Sequence, residues 1–66
     1  MNWVSLEISV HGSVHKGRYR LDGHVIEVES RLGRRRAPKT SVRPDIIAQN
    51  MLRQIVRVAS LSAQAA

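Results

Sequence analysis

Aliphatic and polar residues alternate along the first ten positions of the chain. Every second residue from Val4 to Val10 is aliphatic, and the residues between them are serine or glutamate. An alternation of period two that is rich in β-branched residues predicts a strand with one buried face. We therefore predict a first strand over residues 3–10, which ends at the turn-forming sequence His11-Gly12-Ser13.

A β-hairpin is predicted around Asp22-Gly23, between strands over about residues 16–21 and 24–30. An Asp-Gly pair between alternating segments favours a two-residue turn, because both central positions of a type I′ turn need positive φ. This turn fixes which residues of the two strands lie opposite each other.

In this register the polar faces of the two strands carry complementary charges. Arg18 lies opposite Glu27 and Lys16 lies opposite Glu29. Each such cross-strand pair contributes about 0.2–1 kcal/mol to stability. The register therefore predicts that acids of the same hairpin neutralise both cations.

Apolar residues recur with a helical period from Pro44 to about Ser60, which predicts one amphipathic helix. Proline suits its first turn, and the hydroxyl of Thr40 or Ser41 is predicted to cap it. Residues 61–66 are small and polar enough to fray. The half of the helical wheel predicted to face the core holds Ile47, Ala48, Met51, Leu52, Ile55, Val56, Val58 and Ala59.

These elements predict an α+β fold in a single domain over residues 1–60. An antiparallel β-meander of three strands precedes one C-terminal helix, and the basic segment 31–43 is a loop or a fourth, edge strand, because Pro38 lacks an N–H. A chain of 66 residues without cysteine is marginally stable alone. Because the apolar helix face is also wider than a three-stranded sheet needs, we predict a homodimer.

Composition disfavours several classes of protein. Without cysteine a thiolate zinc site is impossible, and His11, His15 and His24 lie in or near turns that do not make their side chains converge on a metal. A chain of 66 residues is also too small for a deep catalytic pocket, and we predict no metal, cofactor, catalytic residue or small-molecule substrate. The sequence contains no run of about 18 apolar residues, the length that a membrane-spanning helix needs. No signal peptide is recognised. The absence of cysteine fits a reducing cytoplasm.

Positive charge is concentrated in the second half of the chain. Residues 1–30 carry three cations and four acids, whereas residues 31–66 carry eight cations and one acid. Six of the eight cations lie between Arg31 and Arg43, and such an acid-free segment is typical of a nucleic-acid binder. The predicted contacts are Arg31, Arg34, Arg35, Arg36, Lys39 and Arg43, with Arg53 and Arg57 as secondary contacts.

Duplex DNA, bound mainly through its phosphates, is predicted as the ligand in preference to RNA. Modules that bind single strands stack bases on exposed aromatic rings, but Tyr19 is predicted to face the core. Trp3 lies on the polar face, where we interpret it as a dimer anchor, with base stacking as the alternative. Two other functions stay open: binding of an acidic protein, and metal-independent RNA cleavage with His15 or His24 as acid and base.

Residues 17–33 have the sequence G-R-Y-R-L-D-G-H-V-I-E-V-E-S-R-L-G. This stretch resembles a group of short, uncharacterised bacterial proteins that share a G-x-Y-x-x-D-G-x-x-I-x-V-x-S-x-x-G hairpin, followed by a C-terminal amphipathic helix. The resemblance implies the same hairpin and helix, and it implies no activity. The run Arg34-Arg35-Arg36 lies outside the shared pattern, so the nucleic-acid prediction depends on this sequence alone.

Overall fold

A computed structural model describes the backbone of residues 3–65 and the side chains of residues 3–61. Its elements are β1 (Val4–Val10), β2 (Ser13–Asp22), β3 (Val25–Ser30), β4 (Gly33–Pro38) and the helix α1 (Pro44–Ala65). The strands form one antiparallel sheet in the order β1-β2-β3-β4, so β1 and β4 are its edges. The predicted α+β meander with a C-terminal helix is confirmed, and the basic segment supplies the fourth strand.

The β2–β3 turn lies one residue further along the chain than predicted. Asp22 pairs with Val25, so the two turn residues are Gly23 and His24. Gly23 has a positive φ of 63° and His24 does not, which is the φ pattern of a type II′ turn and not of the predicted type I′. The cross-strand register consequently shifts by two residues.

The predicted charge pairs of the hairpin are therefore wrong. Arg18 lies opposite Glu29, and Arg20 lies opposite Glu27. Lys16 lies beyond the end of β3 and faces a residue of β1 instead. Because strand side chains alternate with period two, a shift of two leaves every residue on its predicted face and changes only its partner.

The hydrophobic core lies between α1 and one face of the sheet. β1 contributes Leu6 and Ile8, and β3 contributes Ile26 and Val28. These residues occupy alternate positions of their strands, as a half-buried sheet requires. From the helix, the buried residues are Ala48, Met51, Leu52, Ile55 and Val56.

Gly17 allows β2 to approach the backbone of β3 closely. A Cβ at this position would lie 2.9 Å from the carbonyl oxygen of Glu29 and 3.5 Å from Cδ1 of Leu52. The first distance is too short for a stable carbon contact, since nonbonded atoms pack best at about 3.5–4.0 Å. A side chain at residue 17 would thus force the β3 backbone to shift at Glu29, whereas its contact with Leu52 would be an ordinary one.

The N-terminus of α1 is not capped as predicted. The carbonyl of Arg43 accepts hydrogen bonds from the N–H groups of Ile46 (3.1 Å) and Ile47 (3.2 Å). Arg43 is therefore the residue before the first turn, a position that Pro44 fixes. The hydroxyl of Thr40 instead accepts a hydrogen bond within the preceding loop, from the N–H of Val42.

The C-terminus of α1 also differs from the prediction. The helix continues to Ala65 and does not end near Ser60, because alanine, leucine and glutamine in this stretch are good helix formers. Ala66, the last residue of the predicted frayed tail, lies outside the described residues. Val58, predicted to face the core, is 54% exposed.

Replacing the most buried leucine tests this account of the core. Leu52 is 0% exposed and Leu61, on the same helix, is 59% exposed. Leu52→Ala is expected to lower the free energy of unfolding by about 2–5 kcal/mol, because it leaves a cavity. Leu61→Ala, the matched control, is expected to change it by less than about 0.5 kcal/mol. Urea unfolding followed by circular dichroism measures both, and equal losses would contradict this core.

Candidate nucleic-acid interface

All eight predicted contact residues are exposed, but the fold distributes them over different surfaces. Consecutive side chains of β4 alternate between the two sides of the sheet. Arg34 and Arg36 face away from the helix, where each meets a glutamate of β3. Arg35 faces the helix and donates a hydrogen bond to Oε1 of Gln54. The arginine triplet is therefore not one continuous contact surface.

The other predicted contacts flank β4 or lie on the helix. Arg31 is in the β3–β4 turn, and Lys39 directly follows β4. Arg43 donates a hydrogen bond to Asp45. Within α1, Arg53 bonds to Asn50, and Arg57 is exposed four residues further on. The helical arginines thus belong to another side of the molecule than Arg34 and Arg36.

The outer face of the sheet, opposite α1, carries a row of glutamates between two rows of arginines. β3 supplies the glutamates, while β2 and β4 supply one arginine row each. Segment 31–43 contains no acid of its own, and the carboxylates that face its arginines come from β3. We call this set the arginine–glutamate ladder: Arg18, Arg20, Glu27, Glu29, Arg34 and Arg36.

Glu29 forms the first rung of the ladder. Its Oε1 accepts a hydrogen bond from Nη2 of Arg18 at 2.7 Å, and its Oε2 lies 3.5 Å from Nη2 of Arg34. The hydrogen bond from Arg18 is the main cause that lowers the pKa of Glu29 below its ordinary value; burial opposes this shift, and the nearby guanidinium charges reinforce it. The carboxylate is thus held in its charged form.

Glu27 forms the second rung with the same division of its oxygens. Nε of Arg20 lies 3.0 Å from Oε1, and Nε of Arg36 lies 3.5 Å from Oε2. The residue is only 8% exposed. A buried carboxylate is costly unless it is paired with opposite charge. The pairs with Arg20 and Arg36 offset this cost for Glu27.

The carboxylates form the lower layer of the ladder and the β4 arginines project above it. The side chains of Glu27 and Glu29 are 11% and 29% exposed, against 69% for Arg34 and 61% for Arg36. Four guanidinium groups against two carboxylates give the ladder a net charge of +2. The surface offered to a ligand is therefore composed mainly of N–H donors.

Trp3 supports the β2 row of the ladder. The guanidinium carbons of Arg18 and Arg20 lie 4.3 and 4.7 Å from the centre of its ring, and such cation–π contacts contribute about 0.5–1 kcal/mol at exposed sites. Arg20 and this contact were not predicted. The signal for them was the matching spacing of Arg18 and Arg20 with Glu27 and Glu29, which the wrong register concealed.

The histidines of the alternative ribonuclease are far apart. His15 is in β2, whereas His24 lies in the turn beyond the far end of that strand. Seven strand residues, 16–22, separate His15 from the turn that holds His24, roughly 23 Å at the usual rise, so both histidines cannot act on one phosphodiester. Among the described residues no group of three or more histidines or acids could hold a metal ion. No described helix is long and apolar enough to cross a membrane.

Comparison of the chain with protein-family models, with curated proteins and with solved structures finds no match in any of the three. The resemblance of residues 17–33 to short bacterial proteins therefore stays a prediction.

The pKa of Glu29 makes the stability of the fold depend on pH. Because this pKa is lower in the folded chain than its ordinary value of 4.5, the stabilisation is complete above that value and is lost as pH falls through the lowered pKa. Urea midpoints of the wild type are expected to decrease more steeply below pH 4.5 than those of Glu29→Gln. Glu7→Gln, a control on the same sheet face that leaves the ladder intact, should keep the wild-type dependence. Identical pH profiles for Glu29→Gln and the wild type would show that the rung does not stabilise the fold.

Proposed function

We propose that this protein binds nucleic acid, with duplex DNA as the ligand, and that Arg34 and Arg36 contact its phosphates. The observation that carries the proposal is that a glutamate orients each of these side chains without a hydrogen bond that would occupy its donors. Each lies 3.5 Å from its glutamate, beyond the ordinary hydrogen-bond range of about 2.7–3.2 Å. The glutamates thus orient the guanidinium groups and leave their donors available for phosphate oxygens.

Cations at both ends of β4 extend this surface. Arg31 precedes the strand and Lys39 follows it, and both are exposed. Neither has a carboxylate within ion-pair distance in the part of the chain that the structure describes. A phosphate backbone that follows β4 would therefore meet positive charge along the whole strand, which favours a polyanion over a single phosphate.

The aromatic residues favour contact with phosphates over contact with bases. Tyr19 packs against the core, and Arg18 and Arg20 lie over the ring of Trp3. Proteins that bind single strands usually stack bases on free aromatic rings. This is the support for duplex DNA as the ligand, and we place the binding in the cytoplasm, which the lack of cysteine fits.

Titration of a fluorescent DNA duplex at several salt concentrations tests the proposal. Arg34→Gln with Arg36→Gln removes two phosphate contacts, so the slope of log K against log salt should become shallower by about 1.8. Arg53→Gln with Arg57→Gln removes the same charge from the helix and is expected to change the slope much less. Binding is also expected to change the emission of Trp3, the single tryptophan, which lies against the ladder.

Two outcomes would contradict this assignment. Equal slopes for the two double variants would show that net charge, and not the ladder, determines binding. Polyglutamate is expected to compete only weakly with DNA for the protein. Polyglutamate that binds as tightly as DNA would favour the alternative partner, an acidic protein.

A further inference from the structure

The two edges of the sheet are protected to different degrees. β4 has the sequence GRRRAP, in which three consecutive cations and a proline hinder the addition of another strand. β1 has the sequence VSLEISV, without proline or glycine and with Glu7 as its only charge. The devices that usually prevent edge-to-edge pairing are thus present at β4 and absent from β1.

β1 is also regular enough to act as a template for another strand. It pairs with β2 residue for residue over all seven of its positions, so no bulge twists the edge away. Seven residues give an edge of roughly 23 Å, with one side of its backbone N–H and C=O groups unpaired within the sheet. Val4, on the helix-facing side of this strand, is 47% exposed although it is aliphatic.

We propose that β1 pairs antiparallel with β1 of a second copy of this chain, which joins two sheets into one of eight strands. Pairing of like edges closes a twofold dimer, whereas pairing of β1 with β4 would continue into an open filament. Pairing of two β4 edges would bring two arginine triplets together. Of the three combinations, only β1 with β1 is both closed and free of this repulsion.

The exposed area of the chain fits a second copy. The accessible surface is 4883 Å², whereas a folded monomer of 7.4 kDa is expected to expose about 4200 Å². The excess of about 700 Å² is close to the roughly 800 Å² that each partner buries in a standard interface. The chain thus exposes more surface than a compact monomer of its mass, as expected of a chain that buries part of its surface against a second copy.

Glu7 and Val4 select the register of the pair. A twofold axis at Glu7 would place the two carboxylates directly opposite each other, which is destabilising. An axis at Leu6 places Glu7 opposite Ser5 of the second copy and covers Val4 with its Ile8. An axis at Ser5 would pair only three residues of β1, and an axis at Ile8 would leave Val4 uncovered. We therefore assign the axis to Leu6.

Two lysine variants test the interface by sedimentation velocity. The wild type is expected to sediment as a dimer, with twice the monomer mass of 7.4 kDa. Val4→Lys places a charge on the edge strand opposite an aliphatic residue and should yield the monomer. Val14→Lys introduces the same charge at a valine of similar exposure, 56%, which lies on β2 and not on the proposed seam, and should leave the dimer intact. Circular dichroism confirms that each variant is folded.

Hydrogen exchange of the wild type locates the interface independently of any variant. Alternate amides of β1 should become more protected as the protein concentration rises, while the amides of β4 should not change. The proposal would be overturned by a wild type that stays monomeric at about 1 mM. It would also be overturned if dimer formation slowed hydrogen exchange at the amides of β4 or α1 and not at those of β1. Because both experiments omit DNA, their outcome is independent of the proposed nucleic-acid binding.

Discussion

The outer face of this sheet depends on two carboxylates placed between two rows of guanidinium groups. Glu27 is 8% exposed, and a carboxylate with so little contact to water needs opposite charge close by. Each glutamate gives one oxygen to β2 and the other to β4. The two carboxylates therefore offset the mutual repulsion of the β4 arginines, while backbone hydrogen bonds hold β4 in the sheet.

The ladder has a cost for the proposed function. Its two glutamates cancel half of its positive charge, so the long-range attraction for a polyanion is weaker than the count of arginines suggests. In exchange, the long and flexible side chains of Arg34 and Arg36 are already oriented before a ligand arrives. Less side-chain entropy is then lost on binding. The ladder thus weakens the long-range attraction for a polyanion and lowers the entropy that its arginines lose on binding.

Local patterns in the sequence were sufficient for the fold but not for the site. The alternation around Leu6 and the helical period around Leu52 depend on neighbouring residues, and both elements form as predicted. Which arginine meets which glutamate depends on the register, and placing the turn at Gly23-His24 instead of Asp22-Gly23 moves that register by two residues. The run of arginines is contiguous in sequence, but the pleat of the strand directs Arg35 to the other face.

Gly17 links the pairing of two strands to the position of a charged group on the other face of the sheet. A Cβ at this position would lie 2.9 Å from the backbone carbonyl oxygen of Glu29 on β3, whereas its 3.5 Å distance to Leu52 of the helix would be an ordinary contact. A larger residue at position 17 would therefore displace β3 at the residue whose carboxylate meets Arg18 and Arg34. A single missing carbon atom on the buried face thus helps to fix where a carboxylate lies on the exposed face.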